Sequence, residues 1–270
     1  MPLKHKTIQK RYEGFLKTPS LWMQAPLFGL QSFLCDPIFT SIHIEIDEKL
    51  RLGKYIEQLV FFQFRQHTAM QLLSENIQIQ DGKRTLGELD CLLLLDKKPI
   101  HLEIVYKFYL FDATVGTSEI AHCIGPNRKD SLKEKLEKLS QKQLPLLREV
   151  ACEEHLKTLG FEHTDFQQKV YFKAQLFVPF DEKEVKFYLL NSDCIAGFYI
   201  NSRQLAHFKK CKFYIPEKKD WLILPHHRVS WLSLEDFTLK STAYLSRNFS
   251  PLCWVKFENG EIQKFFLVWW

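Results

Sequence analysis

The stretch GELDCLLLLDKKPIHLEIVYKFYL, from Gly87 to Leu110, constrains the fold of this chain more than any other. Two apolar runs, Leu89–Leu95 and Ile100–Leu110, flank a short polar segment, Asp96-Lys97-Lys98-Pro99. Such runs between turn-forming residues predict two neighbouring strands in the interior of a sheet. Pro99 suits the first residue of the second strand. Glu88, Asp90 and Glu103 nevertheless lie in or beside these runs. An unpartnered carboxylate is costly to bury. Either these groups are paired within the protein, or something positive is meant to sit between them.

A two-residue turn at Lys97-Lys98 places Asp96 opposite Pro99. Asp90 then faces Val105, Glu103 faces Leu92 and Glu88 faces Lys107. Alternation along each strand sends Glu88, Asp90, Glu103 and Lys107 to one face. Asp90 and Glu103 become diagonal neighbours, about 7–8 Å apart at the backbone and closer at their oxygens. Carboxylates so placed can share a hard divalent cation such as Mg²⁺. A three-residue loop without a bulge would put them on opposite faces. The same residues also admit a structural reading, with Glu88 and Lys107 as a cross-strand ion pair and Asp90 as a strand-entry residue.

Around this hairpin, LRLGKYIEQLVFFQFRQH has apolar positions near helical spacing, at Leu52, Ile56, Leu59, Val60 and Phe64, with Glu57 at the edge of the stripe. NIQIQ alternates as a short strand, and Asp81-Gly82 and Leu86-Gly87 mark turns. Gly125-Pro126-Asn127 opens a turn before a helix from Ser131, with Leu132, Leu136 and Leu139 on one face. Pro145 ends or kinks that helix, and a further helix runs to about Leu159. The first 45 residues predict a helix or two around SLWMQAPLF. KVYFKAQLFVPF, VKFYLL, CIAGFYI, CKFYIP and WLIL predict strands, and Asn259-Gly260 between apolar runs predicts a hairpin.

No Pro/Gly/Ser linker divides the chain, so residues 1–270 read as one elaborated domain, with a core over about 45–180 and a strand-rich extension over about 181–270. The fold class is α/β (α+β). The 46% apolar and 26% charged residues, with 23 Phe and 6 Trp, are those of a globular protein with a large core. The seven cysteines contain no C-x-x-C and read as small core residues of a reducing compartment. No run approaches membrane-spanning length and no signal-peptide core is present, which points to a cytoplasmic protein without a membrane partner. The formal charge of +5 suits an anionic partner.

Arg128-Lys129, Lys209-Lys210, Lys212 and Lys218-Lys219 could track a phosphate backbone, the later ones interleaved with Phe213, Tyr214 and Trp221. The same alternation describes a half-exposed strand. No Gly-rich phosphate loop, G-x-S-x-G elbow, zinc finger or helix-turn-helix occurs. His226-His227 reads as a surface pair.

The order of these motifs resembles the PD-(D/E)xK nuclease superfamily, the restriction-endonuclease-like fold with an α-β-β-β-α-β core. LGKYIEQL, GELD, HLEIVYKFYL and GPNRKDSL are similar to the bacterial family known as domain of unknown function 1853, over most of the chain from about residue 45. The resemblance implies Asp90 and Glu103 as metal ligands and Glu57 as an accessory ligand or water holder. Glu88 could ligate or pair with Lys107. Lys107 would take the place of the catalytic lysine. The superfamily keeps that lysine two residues after the Glu, where this chain has Val105, and Lys107 lies about 13 Å along the strand from Glu103. Lys133 and Lys135, on the following helix, are runners-up. The expected function is a Mg²⁺- or Mn²⁺-dependent endo- or exonuclease acting on DNA in preference to RNA. The alternative is an inactive nuclease-fold module that binds nucleic acid or protein.

Overall fold

A computed structural model of the chain describes residues 2–182 and 185–270. Its elements run α1 (Pro2–Lys17), α2 (Leu52–Phe64), β1 (Met70–Asp81), β2 (Arg84–Leu95), β3 (Lys98–Phe111), α3 (Glu119–His122), β4 (Cys123–Ile124), α4 (Leu132–Lys138), α5 (Val150–Thr158), β5 (Gln167–Pro179), β6 (Ile195–Asn201), β7 (Lys212–Tyr214), α6 (Leu234–Leu245), β8 (Leu252–Lys256) and β9 (Ile262–Val268). The fold is mixed α/β. Two compact units share the chain. The first comprises Ser20–Tyr106 and Glu134–Lys173, the second Met1–Pro19, Lys107–Lys133 and Ala174–Trp270. By these boundaries, β3 and β5 each contribute residues to both.

In the first unit β1, β2 and β3 pair antiparallel in sequence order, with β5 next to β3. The turn between β2 and β3 is Asp96-Lys97, one residue earlier than expected. Both residues are left-handed, at φ 49° and 67°, as a tight two-residue hairpin of the primed kind requires. The Asp96 N–H is taken by Ala69 O at 2.9 Å, which fixes Asp96 in the turn. Leu95 therefore pairs with Lys98 and Cys91 with Leu102, a register two residues from the expected one. Because the shift is even, every side chain keeps its face. Leu86-Gly87 is not a turn but part of β2, where Gly87 lies opposite Ile79. A Cβ at Gly87 would come within 2.8 Å of the Leu146 side chain, so glycine there makes room for the layer above.

That layer follows from Pro145. α4 passes into one π-helical turn, Leu139–Gln143, then a 3₁₀ turn, Leu144–Arg148, with Pro145 at its start. Proline cannot donate the next helical bond. Leu146 and Leu147 drop onto the sheet and pack with Cys152 and Leu156 of α5 against Ile79, Leu89 and Leu92. Residues 18–51 form no second long helix. They contribute single bridges instead, Ser20 to Lys173 and Ser32 to Val170.

In the second unit β5, β6 and β9 run parallel, and β8 and β7 continue antiparallel. Phe198, Phe208, Phe213, Phe237 and Phe265 fill its core. Asn259-Gly260 lies in the β8–β9 hairpin, with Gly260 at φ 87°. VKFYLL, expected as a strand, is not one. The N–H groups of Tyr188, Leu189 and Leu190 donate to the Glu119 carboxylate at 2.7, 3.0 and 2.8 Å, so ladder donors are lost to a side chain. WLIL does not form a strand either, because Trp221 and Leu222 close a 3₁₀ turn, Lys218–Leu222. Among the described residues no helix is long and apolar enough to cross a membrane. None of the seven cysteines is in a disulfide.

Gly14 of α1 lies against the backbone of Leu222, where any Cβ would overlap the carbonyl oxygen. Gly14→Ala is expected to destabilise the protein by about 1–3 kcal/mol or more through overpacking, measured as a lowered midpoint in urea.

Candidate acidic site

The acidic side chains of the hairpin converge within the first unit. One step beyond the end of the β2–β3 ladder, at Cys91 and Leu102, the register brings Asp90 across from Glu103. Alternation puts Glu88 and His101 on the same face. Asp90 is 9% exposed, and Glu103 and His101 are not exposed at all. The Asp90 carboxylate accepts the Ile104 N–H at 2.9 Å, so side chain and backbone bond where the ladder would continue.

α2 supplies the positive group that the sequence left unidentified. Lys54 Nζ donates to Glu57 Oε2 at 2.7 Å, to Asn76 Oδ1 at 2.9 Å and to Glu88. Lys54 and Glu57 are three residues apart and so share a helix face. Asn76, left-handed at φ 52° within β1, completes the cradle. Gln143, at the end of the π turn, donates from Nε2 to Glu103 Oε2 at 2.5 Å, and Lys135 Nζ donates to Gln143 Oε1 at 2.7 Å. Gln168 Nε2 lies 3.0 Å from His101 Nδ1 and also donates to Leu144 O at 2.5 Å. The amide nitrogen can only donate, so His101 Nδ1 is the acceptor and Nε2 carries the hydrogen. That nitrogen stands 3.4 Å from Glu103 Oε1, and neither atom completes a hydrogen bond.

Burial shapes the electrostatics. It raises Glu57 to about 7, against the opposing bond from Lys54. Burial, with Glu103 beside it, raises Asp90, and the Ile104 N–H offsets part of this. Burial also raises Glu103, with Lys135 as the largest opposing influence. His101 is pushed down to about 4 by burial and is neutral. Burial works against the charge of Lys54, but its bonds to Glu57 and Glu88 hold its pKa above the ordinary value.

The residues singled out from sequence are thus distributed. Asp90 and Glu103 meet. Glu57 and Glu88 are held by Lys54. In place of the expected Glu88–Lys107 ion pair, Lys54 binds Glu88 and Lys107 donates to Asp130 at 2.6 Å. Lys54, Asn76, His101 and Gln143 went unnoticed as sequence. Among the described residues no three His, Cys, Asp or Glu side chains converge as a metal-binding group.

Several basic residues are engaged within the second unit. The Arg128 guanidinium lies 3.7 Å from the ring centre of Trp270 and bonds Asp112 at 2.8 Å. Lys210 pairs with Glu258 at 3.5 Å, Lys218 stands 5.3 Å over Trp221, and His226 contacts Lys10 at 3.1 Å. Tyr214 lines an open cleft of about 520 Å³ with Tyr244, Lys240 and Arg247.

Fold and site together define a mixed α/β protein whose first unit buries a carboxyl pair beside a lysine-locked acidic rim. By sequence the chain belongs to the family described as domain of unknown function DUF1853, whose model matches residues 17–268. No curated protein and no solved structure matches it.

The raised acids give a pH test. Between the ordinary carboxylate range and their raised values, the folded chain holds protons that the unfolded chain has released. Stability therefore falls as pH rises through that window. Asp90→Asn removes one buried charge and is expected to melt above the wild type at about pH 8, with the gap narrowing toward about pH 5, measured by thermal denaturation across pH.

Proposed function

We propose that this protein is a divalent-cation-dependent nuclease of the PD-(D/E)xK kind, hydrolysing phosphodiester bonds of DNA in preference to RNA. One observation carries the reading. Asp90 and Glu103 meet across β2 and β3 in a buried place, and Glu103 Oε1 completes no hydrogen bond there, the His101 Nε2–H standing 3.4 Å away. A hard cation held by both carboxylates would satisfy that oxygen. With only two protein ligands, waters would complete its shell, as Mg²⁺ or Mn²⁺ tolerates. The order α2-β1-β2-β3-α4-β5, with α3 and β4 inserted before α4 and α5 after it, supports a restriction-endonuclease-like core. The cleft with Tyr214, Tyr244, Lys240 and Arg247 supports a nucleic-acid partner, since rings stack bases and cations meet phosphates.

A bound cation would supply Lewis acidity and neutralise charge on a phosphate oxygen. The chain's own residues hold the two ligands in place. The Ile104 N–H fixes Asp90, Gln143 fixes Glu103, and neutral His101 backs Glu103 without competing as a cation. Glu57 and Glu88, tied to Lys54, frame the site. The pairing of Lys107 with Asp130, and Val105 in the usual lysine position, favour a second reading: an inactive module that keeps the fold and binds nucleic acid.

Supercoiled, linear and branched DNA, and RNA, incubated with the purified chain and Mg²⁺ or Mn²⁺, separate these readings. Cation-dependent cleavage of DNA, falling to background in Asp90→Ala and Glu103→Ala and retained in Lys107→Met, is the expected result. Binding without cleavage, unchanged in the two carboxylate variants, supports the module. Neither binding nor cation uptake would overturn both.

A further inference from the structure

We propose that Lys135 and Gln143 act as a positioning pair that keeps Glu103 a one-oxygen ligand and thereby sets which divalent cation the site accepts. This rests on the cation reading given above. A lysine ammonium only donates hydrogen bonds. The Gln143 atom 2.7 Å from Lys135 Nζ must then be the carbonyl oxygen, which turns the amide nitrogen toward Glu103. Lys135 thus resolves the orientation of an amide that could otherwise face either way. Once turned, the amide occupies Glu103 Oε2 at 2.5 Å and leaves Oε1, buried and completing no hydrogen bond, as the oxygen open to a ligand.

Coordination through both oxygens would require the carboxylate to swing and break that bond. Ca²⁺ takes six to eight oxygens and often both oxygens of one carboxylate, whereas Mg²⁺ demands a compact octahedral shell and keeps several waters. A carboxylate tied at one oxygen serves Mg²⁺ or Mn²⁺ better than Ca²⁺. The π turn Leu139–Gln143 ends on the residue that makes the tie, and single π turns of this sort recur at functional sites.

Titration calorimetry of the full chain with MgCl₂, MnCl₂ and CaCl₂ tests this. Gln143→Leu is expected to weaken Mg²⁺ roughly tenfold, as loss of a partner to a metal ligand typically does, and to move the Mg²⁺-to-Ca²⁺ affinity ratio toward Ca²⁺. Lys135→Met should move it the same way, while Lys135→Arg, which still donates, keeps the wild-type ratio. If Gln143→Leu does not fold by circular dichroism, the Lys135 pair of variants reads the same arm. An unchanged ratio in the variants that still bind Mg²⁺ overturns the positioning role and leaves the cation reading standing. Binding that is absent from the wild type, or that survives Asp90→Ala with Glu103→Ala, overturns the cation reading itself.

Discussion

Glu103 stands on β3 with none of its surface exposed, and its charge has to be met from inside the protein. Burying a lone carboxylate costs far more than one hydrogen bond returns. The surroundings divide that cost. Gln143 covers one oxygen, Lys135 lends its charge through Gln143, and the acid itself becomes easier to protonate. Asp90, directly across, meets the same difficulty with a backbone N–H. The second unit poses the problem with the sign reversed. Lys264 is buried on β9 and donates to Trp221 O at 2.6 Å and to Gln175 Oε1 at 3.0 Å, and burial pushes it down to about 7.

The acids do not all behave alike. Lys54 locks Glu57 and Glu88 to α2 and Asn76, so the outer pair is structural in its contacts. The inner pair is held by the Ile104 N–H and the Gln143 amide and retains an oxygen that completes no hydrogen bond. Groups left this way weaken a fold, and such trade-offs concentrate at working sites.

Much of this was legible in the sequence, and the remainder was hidden for identifiable reasons. α2 and the β2–β3 hairpin announce themselves through apolar periodicity, which reports burial directly. The register slipped by two residues because Asp96 as well as Lys97 adopts a left-handed backbone, a choice steered by the Ala69 carbonyl rather than by turn composition. The even slip spared the faces, so Asp90 and Glu103 were still placed together. VKFYLL has real strand propensity, yet Glu119 captures its donors from far along the chain. Lys54 reaches Glu88 across 34 positions, a pairing that no local pattern carries. Gln143 lay in an ordinary polar run, and only the π turn aims it.

That π turn links the core and the site through chain length. Each residue of a regular helix advances about 100° around the axis, so one residue of overwinding or underwinding re-aims everything downstream. Between Leu139 and Arg148 the chain first loosens and then tightens. Gln143 is presented at one azimuth, and Leu146 and Leu147 return at another to cover Leu89 and Leu92. The segment therefore tolerates a change of residue type more readily than a change of residue number. A single deletion there would leave every neighbouring side chain intact and still dephase the arm from Glu103 or the leucines from the sheet. Length, more than composition, is the quantity this stretch holds constant.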